Sequence, residues 1–203
     1  MNVVAISVAA VVVAFFVGAI PFGILVSRAF YGTDIRNAGS GNIGAANALR
    51  TLGKRGALAV LALDALKGFA PVLAAGALGG TLPATLAAFA AVVGHCWSPF
   101  LGFKGGKGVA TLLGTVIALW WPAGIAFALV WLAAVLACGY ASVGSILGAI
   151  AMGPVLWFGL GREGLVYGIV SALIIIYRHR DNLERLRTGT ENRLSLLKAG
   201  RQS

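Results

Sequence analysis

The chain is 203 residues long, 59% hydrophobic and only 11% charged, with a formal net charge of +10. This composition excludes an ordinary soluble domain, and apolar runs of the length seen here read as membrane spans. The basic residues lie mostly in short segments between those runs, which argues against nucleic acid and for phosphate-bearing lipids or small anionic substrates.

Residues 3–26 form the first apolar run, long enough to cross a hydrocarbon core of about 30 Å. Only Met1-Asn2 precedes it, so it lacks the basic n-region of a secretory signal and reads as a retained helix. Arg28 follows, and residues 29–54 are polar and Gly-rich, a loop or re-entrant segment. Within it, Ser40 and Asn42 lie among glycines that permit close backbone approach, and Arg50 can grip a phosphate with two prongs. A helix starting at Ala45 would put Ala46 and Arg50 on one face. A flexible linker is the plain alternative; Asn42, Asn47 and Arg50 together favour an anion site.

The second span covers about residues 56–78 and holds Asp64 and Lys67, three apart and on one helical face. An isolated charge in the bilayer is costly, so these two are expected to pair with each other or across the bundle. A purely structural ion pair and a place beside the anion site both stay open. Gly79-Gly80-Thr81-Leu82-Pro83 reads as a turn, and the third span covers about 84–97. His95, at its end, is either a general base or a hydrogen-bonded interface histidine.

Phe103-Lys104-Gly105-Gly106-Lys107-Gly108 comes next. Its glycines let N–H groups turn toward a ligand, its lysines add charge, and Gly108 opens onto a helix N-terminus, so the loop suits phosphate. It is not a nucleotide P-loop: with Lys107 as the loop lysine, the first glycine would fall on Leu101 and the Ser/Thr on Gly108. A basic loop held by lipid headgroups is the plainer alternative.

As one helix, residues 109–138 would measure about 45 Å, half as long again as the core needs. Trp121-Pro122 lies near the middle, so the run is expected to split into short spans at 109–120 and 123–138. Ser142 and Ser145 begin a sixth span, 145–160, where N-capping is the default role for one of them. Residues 165–177 complete seven spans.

With seven spans and the N-terminus outside, all 16 Lys and Arg residues except Arg162 and Lys67 lie on the cytoplasmic side, Lys198 and Arg201 of the tail included. The expected fold is therefore all-α and polytopic: one integral-membrane domain, 1–203, with cytoplasmic segments at about 28–55, 98–108, 139–144 and 178–203. In the tail, His179 and Asn182 are one helical turn apart and are expected to face the bundle, while Arg178 and Arg180 meet lipid phosphates. Cys96 and Cys138 lack metal or redox spacing, and no metal cluster or cofactor is expected.

Ser40-Gly41-Asn42-x-Gly44-Ala45-x-Asn47-x-x-Arg50, Leu63-Asp64-x-x-Lys67-Gly68, Gly94-His95 with Phe103-Lys104-Gly105-Gly106-Lys107-Gly108-Val109-Ala110-Thr111, and Arg178-His179-x-x-Asn182-x-x-Arg185-Leu186 together resemble the bacterial membrane acyl-phosphate:glycerol-3-phosphate acyltransferases. The match runs in order over essentially the whole chain. The resemblance implies a seven-span enzyme of the bacterial inner membrane with its site facing the cytoplasm. It would transfer a fatty acyl group from acyl phosphate to the sn-1 hydroxyl of glycerol 3-phosphate, giving lysophosphatidic acid and phosphate in phospholipid synthesis. A soluble acyl-phosphate-forming enzyme is implied as supplier.

Carried over residue by residue, the resemblance puts Ser40, Arg50, Lys104, His179 and Asn182 in the site, with Ser145 and Glu191 near it. Asn42, Asn47, Lys67, Gly105, Gly106, Lys107 and Gly108 join the expected phosphate contacts, Asp64 supports Lys67, and His179, His95 and the substrate phosphate all stay open as acceptor of the hydroxyl proton. Ala46 stands where the family often has Thr, and Ala19 where Ser often precedes Ile-Pro-Phe-Gly. The His-x-x-x-x-Asp pattern of other acyltransferases is missing: it reaches Phe100 from His95 and Glu184 from His179. A small transporter of a phosphorylated solute is the rival, suited to intramembrane charges and broken helices, but no inverted repeat is visible. A lipid-binding structural protein would leave the clustered Asn, Ser and His unexplained.

Overall fold

The computed structural model describes residues 2–194, and among these every regular element is helical. Lys198 and Arg201 lie outside the described residues.

Residues 3–26 read as a single span, but the structure breaks them into α1, Val3–Ala19, and α2, Phe22–Tyr31. Pro21 is the cause, because it lacks an N–H and disfavours helical backbone in the residue before it. The break takes two carbonyls out of the regular helical ladder; that of Ile20 accepts the Phe22 N–H at 3.1 Å, and both are reached by distant side chains. Ser98 Oγ donates to the Ala19 carbonyl at 2.6 Å and Lys67 Nζ to that of Ile20 at 2.6 Å.

The polar stretch after α2 holds a 3-10 turn at Ile35–Asn37 and then α3, Ala45–Thr51, where the sequence suggested a helix start. Ile24, Ile35, Ile43, Ala48 and Val60 form a small core beneath it, so the loop is seated on α2 and α4 rather than hanging free.

The second and third spans are α4, Gly53–Gly79, and α5, Thr81–Cys96, joined at Gly80, whose φ of 81° lets the chain reverse in one residue. A Cβ at Gly18 would strike the Ala91 backbone and one at Gly94 the Phe15 backbone, so small residues let α1 and α5 approach closely. Gly68 and Gly114 do the same between α4 and α6.

The long apolar run divides at Trp120, whose backbone is extended, into α6, Val109–Leu119, and α7, Trp121–Cys138. Pro122 then occupies the first turn of α7, where a missing N–H costs nothing. The last apolar region is α8, Ala141–Arg178, folded back at Gly161 (φ 60°, ψ −139°) into two antiparallel arms. Gly168 rests on the backbone of Met152 and Gly153 across that hairpin. A short α9, Arg180–Arg187, follows.

Among the described residues, five helical stretches are long and apolar enough to cross a membrane: Val3–Tyr31, Gly53–Gly79, Thr81–Leu101, Trp121–Cys138 and Ala141–Arg178. Val109–Leu119 is apolar but shorter. Their core is alanine-rich, with Ala87, Ala91, Val92, Leu112 and Met152 at its centre, while Leu66, Leu129 and Phe158 face outward.

Candidate active site

One cavity of about 270 Å³ gathers the first loop, the start of α6, the start of α8, and α9 with the strand of chain that follows it. Its first wall is organised by Asn47, which is 1% exposed. The Asn47 amide donates to the carbonyls of Ile35, Ala38 and Asn42 at 2.8–3.1 Å and accepts from the Ser40 N–H at 2.8 Å. Asn42 Oδ1 accepts from Gly44 N–H at 2.9 Å and closes the turn into α3. These bonds hold the segment that brings Ser40 and Arg50 to the border of the cavity.

The glycine-lysine loop forms the second wall. The Gly106 N–H donates to the His95 carbonyl at 3.1 Å, and the Gly106 Cα lies so close to the His95 ring that no side chain fits. Arg178 donates to the carbonyls of Gly106, at 3.0 Å, and Gly105, at 2.7 Å. The sequence placed Arg178 among lipid phosphates. The structure turns it inward instead, because two bare glycine carbonyls offer its planar fork a matched pair of acceptors, and leaves Arg180 exposed. Among the described residues the N–H groups of Lys107 and Gly108 have no partner, and both residues border the cavity.

The tail supplies the third wall. Glu191 is a hub: its carboxylate accepts from Ser142 Oγ at 2.8 Å, Asn182 Nδ2 at 2.6 Å and Arg185 Nε at 2.8 Å. Asn182 Oδ1 accepts in turn from the Lys107 ammonium. Burial works to raise the Glu191 carboxyl, but the hydrogen bonds from Asn182, Ser142 and Arg185 outweigh it and hold the group below its ordinary range.

Burial and the neighbouring Arg185 charge push the Lys107 ammonium down to about 8. Burial and the Lys107 charge push His179 down to about 4, so its imidazole is neutral at pH 7. His179 Nδ1 lies 2.8 Å from the Ile175 carbonyl. A carbonyl only accepts, so Nδ1 carries the hydrogen and Nε2 presents a lone pair.

Opposite these polar walls, Leu61, Leu113, Phe127 and Trp131 give the cavity an apolar side. Arg185 pairs with Glu191, whereas Arg50 and Lys107 have no carboxylate within ion-pair distance among the described residues. The cavity thus carries two uncompensated cations beside a greasy wall.

Of the residues singled out in the sequence, Ser40, Asn42, Asn47, Arg50, Asp64, His95, Lys107, Gly108, Ser145, His179, Asn182 and Glu191 all border this cavity. Lys67, Lys104, Gly105 and Gly106 do not. The Lys67 ammonium is committed to Asp64 at 2.7 Å and to the Ile20 carbonyl. Lys104 is exposed beyond the loop, which reverses at Phe103 with a φ of 63° and sends Lys107 inward in its place. The carbonyls of Gly105 and Gly106 belong to Arg178.

The Ser145 hydroxyl donates to the Ala141 carbonyl at 2.7 Å within its own helix, and the Asp64 carboxylate is 3.7 Å from His95 Nδ1. Ser142, Arg185 and Asn192 also border the cavity without having been assigned to it. Arg185 was findable: it lies three residues after Asn182, on the same helical face. Arg28 and Arg36 are spent outside, both on Asp34 at 2.7 Å, and the Arg36 hydrogen bonds hold that carboxyl well below the usual range.

A family model described as glycerol-3-phosphate acyltransferase matches residues 8–189. A curated glycerol-3-phosphate acyltransferase of Rhodopseudomonas palustris (strain BisB5) is 43% identical, covering 92% of this chain and 95% of the relative. One of Cereibacter sphaeroides (strain ATCC 17025 / ATH 2.4.3) is 46% identical over 90% of this chain and 87% of its own. The crystal structure of PlsY, an integral membrane glycerol 3-phosphate acyltransferase, in its glycerol 3-phosphate form superposes with a TM-score of 0.90 at 41% identity, covering 97% of this chain and 99% of that one. Its lysophosphatidic acid form gives 0.85 at 39% identity, over 92% and 94%.

Proposed function

The chain belongs to the glycerol-3-phosphate acyltransferase family, and from that premise we propose that it moves a fatty acyl group from acyl phosphate to the sn-1 hydroxyl of glycerol 3-phosphate, releasing lysophosphatidic acid and inorganic phosphate. The observation that carries this reading is the meeting of Arg50 and Lys107 with the apolar wall of Leu113, Phe127 and Trp131 in one cavity. Both substrates bear phosphate and one bears a long chain, so cations and grease are needed side by side.

In this reading Ser40 and Arg50 hold the glycerol phosphate, and Lys107 with the free N–H groups of Lys107 and Gly108 faces the acyl phosphate. The hydroxyl oxygen attacks the acyl carbonyl carbon, the carbon–oxygen bond to phosphate breaks, and the phosphate leaves. The hydroxyl proton passes to Nε2 of neutral His179 and from there to the departing phosphate. The cations and N–H donors stabilise the developing oxyanion, and holding two reactants together lowers the barrier further. Acyl phosphate is already activated, so no protein nucleophile is required; the Ser145 hydroxyl, bonded to Ala141, is left out of the chemistry.

The same reading places the chain in the bacterial inner membrane as one domain with seven spans, the N-terminus outside and the site facing the cytoplasm. The crossings are α1–α2, α4, α5, α6, α7 and the two arms of α8. The one-sided basic residues support this arrangement. At 11 residues α6 is about 16 Å long, so it completes a crossing only if the glycine-lysine loop descends into the bundle ahead of it. A soluble acyl-phosphate-forming enzyme supplies the donor.

The test supplies purified protein in lipid with labelled glycerol 3-phosphate and either palmitoyl phosphate or palmitoyl-CoA. Lysophosphatidic acid from palmitoyl phosphate alone is the expected result. Equal product from the CoA ester overturns the donor assignment, and no product from either overturns the proposed reaction.

A further inference from the structure

The geometry points to Arg178 as a positioning residue for the glycine-lysine loop. Its guanidinium fixes two successive peptide planes and so aims the Lys107 N–H and side chain into the cavity. This inference rests on the reading that the loop faces substrate phosphate. Gly105 and Gly106 have no side chains with which to anchor themselves, and glycine backbone is the most permissive in conformation. Something outside the loop has to hold it.

Arg178 does so through two bonds, Nε to the Gly106 carbonyl at 3.0 Å and Nη2 to the Gly105 carbonyl at 2.7 Å. In a trans peptide the C=O and the next N–H point in opposite directions, and the described residues contain no cis bond. With the Gly105 carbonyl on Arg178, the Gly106 N–H must point the other way, where it donates to the His95 carbonyl at 3.1 Å. With the Gly106 carbonyl on the same guanidinium, the Lys107 N–H is also turned away from Arg178. That N–H has no partner among the described residues, and its residue borders the cavity.

The guanidinium is itself held. It lies 5.5 Å from the Trp97 ring, and Trp97 stacks on Tyr177 with centroids 6.3 Å apart. Arg178 also ends α8 immediately before His179. One helix terminus therefore sets both the loop that carries Lys107 and the imidazole that faces it. Lysine cannot substitute: its ammonium is a compact point charge on a flexible stem and lacks the rigid fork that addresses two carbonyls at once.

The experiment compares Arg178→Lys, Lys107→Ala and the double variant in lipid, measuring kcat and KM for glycerol 3-phosphate and palmitoyl phosphate, with the melting temperature as a control. Misplacing a substrate contact by about 1 Å costs on the order of 100-fold, so Arg178→Lys is expected to lose about that much in kcat/KM at an unchanged melting temperature. Because it acts through the loop, adding it to Lys107→Ala should cost clearly less than it costs alone, the remainder coming from the backbone N–H that the alanine keeps. Arg178→Lys within about threefold of the parent, or losses that simply multiply in the double variant, overturns the positioning role. Full activity in Lys107→Ala overturns instead the reading that this loop faces phosphate. Trp97→Leu gives a milder second probe in case Arg178→Lys does not fold: it keeps every bond of Arg178 but loosens the guanidinium. It should raise KM severalfold, and an unchanged KM overturns the proposal.

Discussion

The two segments that face each other across the cavity are built in opposite ways. The first loop is gathered around a neutral amide, Asn47, whose partners are all backbone groups. The tail is gathered around a carboxylate, Glu191, whose partners are all side chains, one of them a cation. Each delivers an arginine to the same cavity, Arg50 from the first and Arg185 from the second. A buried amide has no proton to gain in the working range, so the first loop should be indifferent to pH. The carboxylate hub should not be.

The largest effect should come from Asn47→Leu, which removes the amide that ties four backbone groups together, its two N–H hydrogens shared among three carbonyls and its oxygen taking the Ser40 N–H. With both Ser40 and Arg50 displaced, turnover should fall by more than the roughly 100-fold that a 1 Å misplacement costs, and at every pH. Residual activity above a tenth of the parent would show that the loop is held by its small apolar core instead. Lys107→Ala should follow, lowering kcat/KM by about 100-fold, the size expected for loss of one stabiliser of developing charge.

The pH dependence divides the two halves. With Lys107 at about 8, kcat/KM should decline above about pH 8 as the ammonium is lost, and Lys107→Arg should remove that alkaline limb while leaving the Asn47 loop untouched. On the acid side, Glu191 is held below its ordinary 4.5, so the stability it contributes is present above that value and disappears as pH falls below it. His179 acts in the same sense: it is neutral in the fold down to about 4, whereas the unfolded chain protonates below 6.5, so stability drains as pH falls between those values. Limited proteolysis should cut residues 188–194 at pH 4 and spare residues 38–51; equal cutting of both would remove the contrast. The smallest effect should be that of Lys104→Ala, since the side chain is exposed and away from the cavity: within roughly twofold in kcat/KM, the scale of an exposed charge.

Much of the architecture was legible because the bilayer allows few solutions. Trp121-Pro122 marked a real helix break, Asp64 and Lys67 do pair within α4, and Ala45 does start a helix. Pro21 was as visible as Pro122, yet the apolar run around it reads as continuous, since hydropathy averages over a single residue. In the site, residue type was legible but direction was not. Lys104 and Lys107 are equivalent as letters; the turn at Phe103 decides which one enters the cavity. Arg178 and Arg180 differ only in which side of the end of α8 they leave. Ser142 could be read only as a cap, because its acceptor, Glu191, lies 49 residues away.

The two carbonyls freed at Pro21 bear on how the protein is assembled. In hydrocarbon an unmet carbonyl costs several kcal/mol, so the first span is incomplete when it leaves the ribosome. The Ala19 carbonyl waits for Ser98 at the end of the third span, whereas that of Ile20 has the Phe22 N–H and gains Lys67 of the second as a further donor. Lys67 also reaches Asp64 within its own helix at 2.7 Å. The opening span therefore closes its last carbonyl only once the end of the third span, about a hundred residues along, is in place.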